Sequence, residues 1–191
     1  MIRSALALTV LAATFAGSTA HAGPASDEVL VDQTDRVDDV DIFDGGGTRP
    51  TTAQRKSIDL ERFTVSRRGD GVRLSFRIAR ITRARGFDQI VTARLGKPGD
   101  AGSMLDLLAN PRSKHATAYV ADVVDFADGV VCLVDVATSR RTGTVHVDLR
   151  EGCVPAGAGV LTVTTYTQER NGSGPGFSED RMRVKGTATL R

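Results

Sequence analysis

The residues in this chain best suited to chemistry are aspartates. The stretch DQTDRVDDVDIFDGGG, beginning at Asp32, holds six of them in sixteen residues. Carboxylates at that density suit three tasks: holding a hard cation, sharing acid and base roles in a hydrolase, or keeping a sheet edge solvated. An EF-hand loop needs oxygen ligands at positions 1, 3 and 5, glycine at 6 and glutamate at 12. Counted from Asp39, position 3 is Asp41, but position 5 is Phe43, position 6 is Asp44 and position 12 is Pro50. That motif fails. A looser calcium site, with Asp39, Asp41 and Asp44 as ligands at the rim of a sheet, is the alternative to no metal at all. The expectation for the stretch is a solvated edge without a high-affinity metal site, and no cofactor. In DVDIF, Val40 and Ile42 then face inward while Asp39, Asp41 and Phe43 face out. Arginines nearby favour the ionised aspartates and compete with a divalent cation for them.

Other catalytic constellations find little support. Of the three histidines, His21 precedes an expected cleavage site, and His115 and His146 have no zinc-binding spacing. No G-x-S-x-G is present, and Ser173 in NGSGPG lacks a strand-to-helix context. There is no Walker A loop or dinucleotide fingerprint. Nucleic-acid binding is not expected, because a chain without tryptophan and with two tyrosines offers few stacking platforms. Arg68-Gly69-Asp70 reads as turn chemistry rather than an adhesion motif. The chain is therefore expected not to be an enzyme. The competing reading is a secreted hydrolase using carboxylates of the Asp-rich segment, or a calcium-dependent glycan-binding module.

The N-terminus predicts export. Arg3, the apolar run ALALTVLAATFAG and the Ala20-His21-Ala22 site form a signal peptide, residues 1–22, cleaved after Ala22. No later run is long and apolar enough for a membrane span. The mature chain of about 170 residues suits one core. Cys132 and Cys153 are its two cysteines, expected to form a disulfide outside the cell.

These features need positioning elements, and the dominant pattern is period-2 alternation. Val72, Leu74, Phe76 and Ile78 alternate with Arg73, Ser75 and Arg77, and Val145, Val147 and Leu149 alternate with His146 and Asp148. In RMRVKGTATLR, Met182, Val184, Ala188 and Leu190 oppose Arg181, Arg183, Lys185 and Arg191. Strands that bury one face belong to antiparallel sheets. IDLERFTV, DQIVTARL and VLTVTTYT are further strand candidates, with Asp70-Gly71 marking a hairpin. SMLDLLAN and AYVADVVDFADG suit strand or helix, and RNGSGPGFSED reads as a loop. The expected fold is an all-β antiparallel sandwich, jelly-roll or immunoglobulin-like, over residues 37–191. Residues 23–36 are expected to be an acidic, flexible lead-in.

Charge is split along this framework. Residues 27–44 carry eight acids against Arg36, and residues 49–97 carry thirteen Lys or Arg against four acids. The outward row Arg181, Arg183 and Lys185 is the candidate surface for an anionic partner.

The chain resembles small secreted actinobacterial β-sandwich proteins of unknown function. The likeness rests on the signal peptide, the acidic stretch, the meander IDLERFTVSRRGDGVRLSFRI, the FDQ entering the next strand and the late cysteine pair. It implies export, a β-sandwich and no catalytic residues. The expected function is accordingly an exported, non-catalytic binding or structural module, whose ligand lies in the cell envelope or the extracellular space.

Overall fold

Alternation becomes strand wherever one face is continuously apolar. The computed structural model describes residues 27–42, 52–82, 87–97, 104–110, 115–122, 125–154, 157–169, 178–185 and 189–190. In chain order these contain β1 (Val29–Thr34), β2 (Asp41–Ile42), a short helix α1 (Thr52–Lys56), β3 (Leu60–Arg68), β4 (Gly71–Ile78) and β5 (Phe87–Gly96). There follow β6 (Met104–Ala109), β7 (His115–Asp122), β8 (Asp125–Ser139), β9 (Thr144–Leu149), a 3-10 turn (Glu151–Cys153), β10 (Gly159–Glu169) and β11 (Ser178–Arg183). The signal peptide, residues 1–22, lies outside the described residues. Among the described residues no helix is long and apolar enough to cross a membrane.

The fold is all-β, antiparallel and sandwich-like. The strands run in one continuous order, β1-β3-β4-β9-β8-β7-β6-β5-β10-β11-β2. Strands β5 to β9 form an up-and-down meander, flanked by the β3–β4 and β10–β11 hairpins. The sheet curls until its two ends meet. At the seam the side-chain amide of Gln33 on β1 takes the place of a peptide group. Its Nε2 donates to the Arg183 carbonyl at 2.9 Å, and its Oε1 accepts from the Lys185 N–H at 2.8 Å. A side chain thereby satisfies backbone groups that the ladder does not reach.

One apolar core fills the interior. Phe63, Val65, Leu74, Phe76, Val145 and Val147 are fully buried on β3, β4 and β9, facing Val91, Ala93, Val163 and Met182 from β5, β10 and β11. The Phe63 and Phe76 rings pack at 5.2 Å between centroids, tilted by 55°, within the range of favourable aromatic pairs. Cys132 on β8 is bonded to Cys153 in the 3-10 turn, with Cα atoms 6.0 Å apart, as the cysteine count predicts.

Several local expectations change. Residues 29–34, expected in a flexible lead-in, form β1, because Val31 joins the core and Asp32 pairs with Arg62 across the strand. The β3–β4 turn is Gly69-Asp70 rather than Asp70-Gly71. Gly69 has φ +56°, at the first central position where a type II′ turn wants glycine. Gly71 is a strand residue for another reason: a Cβ there would meet the Leu149 carbonyl oxygen at 2.1 Å. The two ambiguous segments are strands, in β6 and in β7 with the start of β8. The last strand ends at Arg183 and begins earlier than expected, taking Ser178, Glu179 and Asp180 from the supposed loop.

Candidate functional site

The interior is not apolar throughout. At one end of β5, β10 and β11 the inward positions become polar: Gln89, Thr165, Thr167, Ser178 and Asp180 are all buried. The cause is the segment Ser57–Leu60, which crosses this end with its backbone inside the fold. Buried peptide groups must be paired, and the polar side chains pair them. The Gln89 amide donates to the Ser57 and Arg80 carbonyls and accepts from the Thr82 N–H. The Thr165 hydroxyl donates to the Ile58 carbonyl. Asp180 Oδ2 accepts from the Leu60 N–H at 2.6 Å. Gln89 is the glutamine of FDQ, so that tripeptide has a structural use.

Onto this polar end folds the turn that follows β1. Asp38 adopts φ 64°, a conformation that aspartate tolerates better than most residues, and its N–H donates to Asp59 Oδ1 at 3.0 Å. This brings Asp39 against two buried acids. One carboxylate oxygen from each of Asp39, Asp59 and Asp180 lies within 4.8 Å of the others. Asp59 is 1% exposed and Asp180 3%, whereas Asp39 opens to solvent. Asp59 Oδ2 and Asp35 Oδ2 are sealed from solvent and accept no hydrogen bond.

Electrostatics follow from this crowding. Burial pushes the Asp180 carboxyl up to about 7; the Leu60 N–H opposes the shift, while Asp35, Asp39 and Asp59 add to it. Burial also raises Asp59, against the Asp38 N–H and with Asp38, Glu61 and Asp39. Asp35 is raised by burial, opposed by the Arg36 N–H and assisted by Asp39. Among the described residues, no ion pair reaches Asp35, Asp39, Asp59 or Asp180. Arg55 and Lys56 of α1 share a small cleft with Asp38 and Val40 on the outside of the turn.

Of the expected ligands, only Asp39 joins this group. Asp41 is exposed on β2 beside β11, and Asp44 lies outside the described residues. Asp59 and Asp180 stand outside the Asp-rich stretch. For Asp180 a signal existed: alternation carried back from Val184 through Met182 puts Asp180 and Ser178 on the inner face. For Asp59 the signal was spoiled: alternation carried back from Val65 and Phe63 reaches it only through Glu61, and a bulge between Leu60 and Arg62 turns Leu60 inward in place of Glu61.

The outer faces behave differently. Arg73 holds Asp148 through two bonds of 2.7 and 2.8 Å; Arg62 pairs with Asp32, Arg77 with Glu61 and Arg67 with Glu28. Beside them Ser75 Oγ lies 2.8 Å from His146 Nδ1. This resembles a hydrolytic dyad in distance only. Asp148, the acid next along β9, is bound to Arg73, which holds its carboxyl low, and burial with Arg73 nearby lowers His146. A catalytic base needs its orienting acid on the other ring nitrogen. Arg181 and Arg183 on β11 and Lys185 just beyond it are all exposed, with Arg181 held by Glu179 at 2.9 Å. An open groove of about 470 Å³ at the β3–β4 turn is lined by Arg68, Asp70, Asp148, Arg150 and Glu151 among others. Charges of both signs alternate there. Compared with known proteins, the chain matches no family model, no curated sequence and no solved structure.

Proposed function

We propose that the chain is an exported, non-catalytic binding module that engages an anionic polymer of the cell envelope or extracellular space. The surface is the outward face of β5, β10 and β11. One observation carries this reading: Arg181, Arg183 and Lys185 stand exposed in one row, while Met182 and Val184 between them are buried. Strand register widens the row into a patch. Arg183 lies opposite Thr162, which lies opposite the exposed Arg94, and Arg181 opposite Thr164 and then Thr92. Cations interleaved with hydroxyls suit a polymer that carries both acidic groups and hydroxyls. Export is carried by residues 1–22, and the disulfide fits an oxidising compartment.

Burial supports a non-catalytic reading over a hydrolase. A glycosidase presents its two carboxyls to a sugar in an open cleft. Within the acidic group only Asp39 opens to solvent while Asp59 and Asp180 are at most 3% exposed, so the group offers no pair of accessible carboxyls. Binding through the patch is weak and salt-sensitive, because charges on an exposed face are screened over about 10 Å at 0.1 M salt. The test is retention on carboxylate- or phosphate-bearing beads at rising salt. Wild type should elute later than the Arg181/Arg183/Lys185 triple alanine variant, and the gap should close as salt rises. Equal retention of the two proteins at low salt would refute the assignment.

A further inference from the structure

The acidic group at the polar end does not belong to that surface. Two aspartates with almost no solvent contact face each other and a third, and no arginine or lysine among the described residues forms an ion pair with them. Buried carboxylates need a counter-charge, a proton or strong hydrogen-bond donors. Donors are present only in part. The Asp38 N–H serves Asp59 Oδ1 and the Leu60 N–H serves Asp180 Oδ2. Asp59 Oδ2, sealed inside a side chain that is 1% exposed, has no donor. That oxygen is the independent sign of a missing positive partner.

We propose that Asp39, Asp59 and Asp180 bind a calcium ion, with Asp59 and Asp180 as buried ligands and Asp39 as the solvent-side one. Calcium accepts oxygens at about 2.3–2.6 Å, so ligands on opposite sides of the ion stand about 4.6–5.2 Å apart. Three oxygens mutually within 4.8 Å fit round one such ion. An all-carboxylate set selects a hard cation over zinc or copper, which favour nitrogen and sulfur. Asp39 is exposed, so waters that complete a calcium shell would come from its side. Three chain segments meet here: the turn after β1, the entry to β3, and β11. An ion at this point would clamp the acidic turn to the body of the fold. This site is independent of the proposed polymer surface, and each stands if the other falls.

The test is thermal unfolding of the full chain after chelation, then in calcium chloride, magnesium chloride and sodium chloride at matched ionic strength. Calorimetric titration with calcium chloride runs in parallel. At free calcium a hundredfold above Kd, calcium should raise the melting temperature by on the order of 5–10 °C. Magnesium should do less and sodium nothing beyond ionic strength. Asp39→Ala and Asp180→Asn should each abolish most of the rise and the binding heat. Asp39 is exposed, so Asp39→Ala tests the site even if changes at the buried positions disturb folding. A rise matched by sodium, or no rise, would overturn the proposal. So would a calcium-specific rise that survives both substitutions, because the ion would then be held elsewhere.

Discussion

The carboxylate group makes its strongest claim on the metal-free protein, through Asp180→Asn. In the folded chain Asp180 holds its proton up to about pH 7; in the unfolded chain it releases it near 3.9. The folded state therefore binds more protons between about pH 4 and 7. Stability must fall as pH rises through that window and level off above it. Three units of separation set an upper bound of about 4 kcal/mol on the destabilisation at pH 8, of which screening at the rim leaves about 1–3 kcal/mol. Asparagine removes the charge and keeps the geometry. Its oxygen still accepts from the Leu60 N–H, and its amide can donate toward Asp59, whose Oδ2 has no donor. In chelator at pH 8, urea unfolding should find Asp180→Asn more stable than wild type by about 1–3 kcal/mol. At pH 5 the difference should shrink to about a third, because wild type is then protonated at this position in the folded state but still ionised when unfolded, and it should vanish only below about pH 4. A variant less stable than wild type at pH 8, or a wild type whose stability does not fall from pH 5 to pH 8, would refute the reasoning.

Further outcomes follow from other parts of the fold. Reducing the Cys132–Cys153 bond, which closes a loop with a sequence separation of 21, should lower stability by about 3 kcal/mol in the chain-entropy model; non-reducing peptide mapping checks the bond and denaturant titration checks the loss. Gly71→Ala puts a methyl against the Leu149 carbonyl and should destabilise by about 1–3 kcal/mol as β4 and β9 are forced apart. Gln33→Ala removes both hydrogen bonds of the seam and should cost about 1–2 kcal/mol, with faster amide exchange at Lys185 as its local signature.

The elements were legible because period-2 alternation is a local signal. Val72, Leu74, Phe76 and Ile78 announce β4 without help from any other segment, and the same holds for Val145, Val147 and Leu149 in β9. Strand β1 was obscured by its charges. Asp32 looks like part of a solvated run until Arg62, thirty residues on, supplies its partner. Of the strand order, the β3–β4 hairpin was legible from its turn, but the long-range neighbours were not. Placing β9 beside β4 and β5 beside β10 depends on contacts between distant segments that leave no mark in either strand alone. The same holds for the turn: Asp70-Gly71 carries the usual hairpin signal, but the approach of β9 assigns Gly71 to the strand.

The candidate site was hidden by a related physics. Its acids are spread over 142 positions, from Asp39 to Asp180, and two lie outside the stretch whose density drew attention. Density of charge marks a surface, since ionised groups crowded in sequence can all remain in water. A site that binds an ion needs the opposite arrangement: few carboxylates, drawn from distant segments and removed from solvent. Asp59 and Asp180 occupy that arrangement because the backbone at Ser57–Leu60 enters the fold and requires polar partners there. Asp180 accepts the Leu60 N–H with one oxygen. A threonine or an asparagine would satisfy that N–H without a buried charge, as Thr165 does for the Ile58 carbonyl. Hydrogen bonding alone therefore accounts for a polar residue at this position, but not for an acid. Two buried acids facing a third have an electrostatic reason to be acids when a proton or a cation lies between them, and calcium titration separates the two.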